Sequence, residues 1–243
     1  MTPRWWGVVC AHRDRMKKIR QILLVDPSPV YCAGLQAVLS DQVDLNIAAT
    51  TQDAQQALSV VHNQAIDLAI IELNLTGGIA FDLIRSLREH HPNMAILILS
   101  SQEESVFAER ALKLGANGYV MKTETIETII TAIRRAADRE IALSERQTAT
   151  LLSKLLHQPQ GATDSPVTGL SNRELEVFQE MGHGRTNREI AKSLNISTKT
   201  VESHQAHIRR KLGAATRHEL MRMSFSWIHT MTAAEAGSND RTD

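Results

Sequence analysis

Five short apolar runs alternate with amphipathic segments of helix length between Ile22 and Ala137. The runs are ILLV (22–25), LNIAA (45–49), DLAIIEL (67–73), MAILILS (94–100) and GYVM (118–121). Between them the spacing of apolar positions predicts helices near 29–40, 52–63, 79–90, 103–114 and 124–139. Strands that are apolar at consecutive positions, not alternate ones, are buried on both faces. Five βα units in about 115 residues therefore predict a doubly wound, five-stranded parallel sheet with helices on both sides. Ser101 and Glu104 have the spacing of a capping box for the fourth helix.

The pattern changes after residue 137. Residues 138–166 read as a linker: LSERQTATLLSKLLH can form a helix, and QPQGATDSP cannot. From 167 to 230 the periodicity is helical throughout. The pairs Ser171/Glu174, Thr186/Glu189 and Thr216/Glu219 mark helix starts, and helices are expected near 172–181, 187–194, 198–212 and 217–229. The fold class is thus α/β plus all-α, with a receiver-sized domain at 21–137 and a four-helix domain at 167–230. The tail, 231–243, is expected to be disordered. Residues 1–20 form a basic extension. Met16 is followed by KKIRQILLVD, a natural domain start, so the first fifteen residues are expected to be a mis-set start or a disordered arm.

Charge sharpens the division. The net charge of zero conceals +5 over residues 1–20, −6 over 21–137 and +4 over 166–230. An acidic domain followed by a basic one suggests a control module and a nucleic-acid module. Aromatics are only 4 %, so the core must rest on Leu, Ile, Val and Ala. Cys10 and Cys32 make neither a disulfide framework nor a metal site, which points to a reducing compartment and a cytoplasmic protein. No apolar run approaches the roughly 18 residues of a membrane span.

Residues 170–213 hold the most specific chemistry. Two short helices flank the turn Asn195–Thr198. Stepping 100° per residue from Thr198 places Val201, Ile208 and Leu212 on one stripe, with Gln205 beside it. Lys199, Glu202, Ser203, Ala206 and Arg210 gather opposite, with Arg209 at the edge. A face mixing acid, hydroxyl, small side chain and cation suits base reading with phosphate contact: Glu202 can accept from a cytosine amino group, while Arg209 and Arg210 reach phosphates. Thr186, Asn187, Thr198 and Lys199 lie at helix N-termini, where backbone N–H groups also hold phosphates. The plain alternative is an exposed charged helix with no groove to fill. His204 and His207 are three apart, yet no third metal ligand accompanies them. The segment resembles the helix-turn-helix of the LuxR/NarL family of bacterial transcription factors through Leu170, Arg173, Glu174, Glu176, Val177, Gly184, Asn187, Glu189, Ile190, Ala191, Leu194, Ile196, Ser197, Thr200, Val201, His204, Ile208, Lys211 and Leu212. The resemblance implies a transcription regulator that binds double-stranded DNA as a homodimer, paired through the last helix. Leu220, Met223, Phe225 and Trp227 give that helix an apolar surface.

The order ILLVDPSPVYCAGL, DLAIIELNLTGG, ILILSS, GANGYVMK resembles a response-regulator receiver domain over about residues 21–137. The resemblance implies a flavodoxin-like sheet and an acceptor pocket at its C-terminal edge. Asp26 matches the first metal-binding acid, Ser100 the hydroxyl, Lys122 the lysine and Tyr119 the switch aromatic. Pro27 stands where the second acid belongs, Glu72 where the acceptor Asp belongs, and Thr76 where a Pro is usual. Pro27 supplies no carboxylate to a cation, and Glu72 is a methylene too long for a reaction that depends on positioning. The reading is therefore a pocket without metal or cofactor, controlled independently of aspartyl phosphorylation. Either Glu72 reaches Lys122 and Ser100 and imitates the charged state, or the pocket is inert. An alternative is a protein-interaction adaptor whose face near 103–139 binds a kinase or another regulator, with DNA binding secondary. A third is phosphotransfer to Glu72 itself or to a neighbouring acid. Independent enzymatic activity has no motif in its favour.

Overall fold

The computed structural model describes residues 19–76, 78–156 and 166–237. The basic extension up to residue 18, Cys10 with it, lies outside the described residues. The receiver-like part runs β1 (Arg20–Val25), α1 (Pro29–Ser40), β2 (Leu45–Thr51), α2 (Ala54–Asn63), β3 (Leu68–Ile71), β4 (Asn74–Leu75), β5 (Gly78–Ile79), α3 (Phe81–His90), β6 (Ala95–Ser100), α4 (Glu104–Lys113), β7 (Gly118–Met121) and α5 (Ile126–Ala137). Its five-stranded sheet has the order β2-β1-β3-β6-β7 with every pair parallel. The central strands β3 and β6 are buried at every position, as their continuous apolar runs require. Alternate side chains feed two layers. Leu23, Val25, Ile71 and Ile98 meet α2, α3 and α4, while Ile22, Leu24, Leu97 and Leu99 meet α1 and α5.

Three local features depart from the sequence expectation. A small antiparallel hairpin, β4–β5, follows β3; strands of two residues are too short to show a period. The Ser101/Glu104 capping box does not form: α4 begins after Glu103 with no side-chain cap. Glu104 instead accepts from the Ser144 backbone N–H at 2.9 Å, which holds the linker against α4. The linker also extends the sheet, because Tyr119 N–H donates to Ala142 O at 2.8 Å beside β7. Its helix is α6 (Glu145–Leu156).

The C-terminal part is α7 (Asn172–Gly182), α8 (Asn187–Ser193), α9 (Thr198–Leu212) and α10 (Arg217–Gly237), preceded by a 3-10 turn at Pro166–Gly169. Both expected capping boxes form at α7 and α8. At α10, Glu219 N–H donates to Thr216 Oγ1, but the Glu219 carboxylate accepts from Ala215 N–H instead of the cap residue's own. Asn195 takes a left-handed conformation, φ 52°, to turn the chain between α8 and α9. The last helix runs to Gly237, past the expected end near 229, so the tail expected to be disordered is helical at its start.

The two parts share one apolar core. Phe81 and Phe107 of the sheet domain stand 6.4 Å apart, Phe107 and Trp227 6.5 Å, and Trp227 and Phe178 5.5 Å, so an aromatic run crosses the boundary. Arg110 of α4 donates to Leu170 O at 2.7 Å. Within the C-terminal part, α7 and α10 touch at Gly182, where an added Cβ would lie 2.6 Å from Ser224 O. That neighbour is backbone and cannot swing away. Gly182→Ala is expected to destabilise the protein by about 1–3 kcal/mol in urea unfolding, whereas Gly169→Ala, with nothing within 4 Å, should be near neutral.

Candidate functional site

The C-terminal ends of β1, β3, β6 and β7 bring Asp26, Glu72, Ser100 and Lys122 together. Parallel strands force this convergence, since each βα loop leaves the sheet at the same edge. Asp26 is 1 % exposed, Glu72 4 % and Ser100 0 %. Lys122 Nζ donates to Asp26 Oδ2 at 2.5 Å and to Glu72 Oε2 at 2.6 Å. The other Glu72 oxygen accepts from Ser100 Oγ and, at 3.1 Å, from Asn74 N–H. Ser28 N–H donates to Asp26 Oδ1 at 2.8 Å. Burial alone would push the Lys122 ammonium down, but its hydrogen bonds to Asp26 and Glu72 outweigh it and hold Lys122 above its ordinary value. Tyr31 lies over this group, its ring centroid 4.2 Å from Nζ. Burial, with Asp26 and Glu72 nearby, lifts the Tyr31 phenol to about 12.

The donor set does not fit a divalent cation. Pro27 contributes no carboxylate, and the Lys122 ammonium already sits between Asp26 and Glu72. A hard cation needs several oxygen ligands with room for water; here the carboxylate oxygens are spent on an ammonium, a hydroxyl and backbone N–H groups.

The pocket connects outward through one residue. Gln102 N–H donates to Ser100 Oγ at 3.2 Å. Its carbonyl accepts from Tyr119 OH at 2.8 Å. Its side-chain Oε1 accepts from Gln179 Nε2 of α7 at 3.2 Å. Tyr119 is wholly buried, and burial raises its phenol well above the ordinary value. Gln102 therefore joins the pocket hydroxyl, the switch aromatic and the helical domain.

In the helical domain, Val201 and Ile208 of α9 are fully buried and Gln205 is buried beside them. Thr198, Lys199, Glu202, Ser203, Ala206, Arg209 and Arg210 are all exposed. The sheet domain docks on α7 and α10 and leaves this outward face of α9 open. Thr186 is placed differently from expectation: its N–H donates to Glu189 Oε2 at 2.8 Å and is not available to an anion. Asn187 Oδ1 accepts from Gln205 Nε2 at 2.8 Å and from Arg217 Nη2 at 2.9 Å. Lys211 is structural, pairing with Glu174 Oε2 at 2.6 Å. His204 is half-buried, and burial, with Arg173 nearby, lowers its imidazole. On α10, Leu220 is buried, Trp227 serves the junction, and Phe225 is 54 % exposed.

Comparison with known proteins agrees with this division. Residues 22–134 match the response regulator receiver domain, and 168–224 match the bacterial regulatory proteins of the luxR family. The oxygen regulatory protein NreC of Staphylococcus epidermidis is 31 % identical over 206 residues, 83 % of this chain and 94 % of that protein. The chain belongs to the luxR-family response regulators. Fimbriae Z protein of Salmonella typhimurium is 29 % identical over 204 residues, 84 % of this chain and 95 % of that protein. The fold is that of RcsB from Salmonella enterica serovar Typhimurium bound to promoter rprA with the phosphomimetic BeF3−: TM-score 0.60, 22 % identity, 84 % of this chain and 96 % of that one.

As a luxR-family response regulator the protein is a DNA-binding transcription regulator. Three residues near these sites have no place in the sequence pattern: Arg188, exposed in the first turn of α8; Arg217, which meets Asn187 in three dimensions; and Gln102, whose contacts cross the domain boundary.

Lys122→Met would leave Asp26 and Glu72 buried together without a cation. The expected loss is about 3–5 kcal/mol in urea unfolding at neutral pH. In the wild type the Lys122 contribution is complete below its ordinary value of 10.5 and is lost only as alkali removes the ammonium proton. A Lys122→Met chain as stable as the wild type would show that the two carboxylates do not depend on the ammonium.

Proposed function

We propose that this regulator binds double-stranded DNA as a homodimer and is controlled without phosphorylation of its receiver pocket. The observation that carries the second half is the position of Lys122 Nζ, 2.6 Å from Glu72 and 2.5 Å from Asp26. In a receiver, a phosphoryl group on the acceptor would engage the Ser hydroxyl and the Lys ammonium. Here the Glu72 carboxylate engages both, and Tyr119 is drawn inward to Gln102. This supports the imitated charged state over an inert pocket. Catalysis by positioning also lacks its parts, since the oxygen atoms that would receive the phosphoryl group and its counter-ion are already bonded.

The open α9 face and the positive charge of residues 166–230 support DNA binding, with Glu202 reading bases and Arg209 and Arg210 on phosphates. The exposed Phe225 and Met221 of α10 offer an apolar surface for a second copy. The adaptor reading keeps less surface than the sequence suggests, because the linker at Ala142–Ser144 already lies along β7 and α4. Among the described residues no helix is long and apolar enough to cross a membrane.

Acetyl phosphate with Mg²⁺ followed by intact mass measurement is expected to show no phosphoryl adduct; an adduct lost on Glu72→Ala would overturn this reading. In mobility shifts at several salt concentrations, Arg210→Ala is expected to weaken binding to all duplexes and flatten the salt slope by about 1, while Glu202→Ala relaxes base preference.

A further inference from the structure

We infer that Arg217 is a DNA phosphate contact, and that the Asn187 amide oxygen positions it. The inference rests on the DNA-binding reading and adds a residue that the α9 pattern does not contain. Arg217 is the first residue of α10, just beyond the end of α9 at Leu212 and outside its helical period. In space it closes the same face: Glu202, Gln205, Ala206 and Arg209 line a shallow groove with it, of ≈ 200 Å³. On its other side an adjoining groove carries Thr186, Arg188 and Thr198.

The hydrogen bonds fix the direction of the group. Arg217 is a donor only, so the Asn187 atom facing it at 2.9 Å must be the amide oxygen. That oxygen then requires a donor from Gln205, and Gln205 Nε2 supplies it at 2.8 Å. Gln205 is 7 % exposed and is held by the core side of α9, so it anchors the Asn187 amide firmly. The chain of anchors runs from α9 through α8 to α10. It spends one N–H of a guanidinium that has five. No carboxylate among the described residues pairs with Arg217, and its side chain is exposed. A cation held by one neutral oxygen, with its remaining donors open beside the reading face, is arranged for an anionic oxygen of the duplex backbone.

Asn187 was expected to hold a phosphate at the start of α8. Its amide oxygen, an acceptor that no phosphate could use, is occupied by Gln205 and Arg217, which leaves the expected backbone N–H contact untouched, while the nearby Thr186 N–H is closed by Glu189. The Asn187 amide oxygen therefore acts through Arg217.

The test uses the full chain and poly(dI·dC), a duplex that needs no known operator, with affinity measured across a salt series. Arg217→Ala is expected to weaken binding about tenfold near physiological salt and to lower the salt slope by about 0.9, one phosphate contact. Asn187→Ala should weaken binding severalfold in the wild-type background and add nothing in the Arg217→Ala background. Arg217→Lys should keep most of the slope while losing affinity. Urea unfolding of each variant separates a structural role: a loss of stability with an unchanged salt slope would overturn the inference. Additive effects of Asn187→Ala and Arg217→Ala would overturn the positioning role. A wild-type chain that ignores duplexes at every salt concentration would fell the DNA-binding reading itself, and this inference with it; a binding wild type with an unaltered Arg217→Ala slope would fell the inference alone.

Discussion

A buried ammonium between two carboxylates governs the rest of this molecule. Removing charge from water is costly, and it is tolerated only where each charge has a partner and its remaining lone pairs are bonded. Lys122, Asp26 and Glu72 meet that condition together: the ammonium bonds both acids, Ser100 and Asn74 complete Glu72, and Ser28 completes Asp26. The same satisfaction explains why the pocket offers nothing to a magnesium ion. On the proposed reading the departure from the receiver pattern is small, Glu72 in the place of an acceptor Asp and Pro27 in the place of an acid. What the chain holds there is a closed electrostatic unit.

That unit is not isolated. Ser100 touches Gln102 through its hydroxyl, Tyr119 reaches the Gln102 carbonyl, and the Gln102 side chain meets Gln179. Around this polar thread lies the aromatic run Phe81–Phe107–Trp227–Phe178. The polar thread supplies direction and the aromatics supply burial. Both leave the outward face of α9 uncovered. On the proposed reading, a receiver arranged in this way orients its DNA-binding domain without hiding α9, and control would act through the geometry of the junction.

Much of this was readable in advance, and the reasons for the exceptions are physical. The central strands β3 and β6 were legible because two-sided burial writes continuous apolar runs, and α9 because its buried stripe, Val201, Gln205 and Ile208, keeps a helical period; the edge strand β2 is exposed at alternate positions. The pocket residues were legible through the order in which they follow strands. The Glu72–Lys122 contact was one of two readings the sequence left open; the bond from Lys122 to Asp26 was not legible, because a contact 96 residues apart leaves no local pattern. The Ser101/Glu104 spacing misled because Glu104 had a better partner in the linker backbone. The hairpin β4–β5 is shorter than any period. Thr186 looks like an anion holder by position, yet a neighbour that sequence cannot rank, Glu189, has taken its N–H.

The central claim is that Lys122 and Glu72 already hold the receiver in the arrangement that a phosphoryl group would otherwise impose. The most direct measurement is the affinity of the full chain for a bound genomic duplex, by fluorescence anisotropy, with and without Mg²⁺ and BeF3−. The account predicts the same affinity in both conditions. A clear tightening with BeF3− and Mg²⁺ that disappears on Glu72→Ala would contradict it.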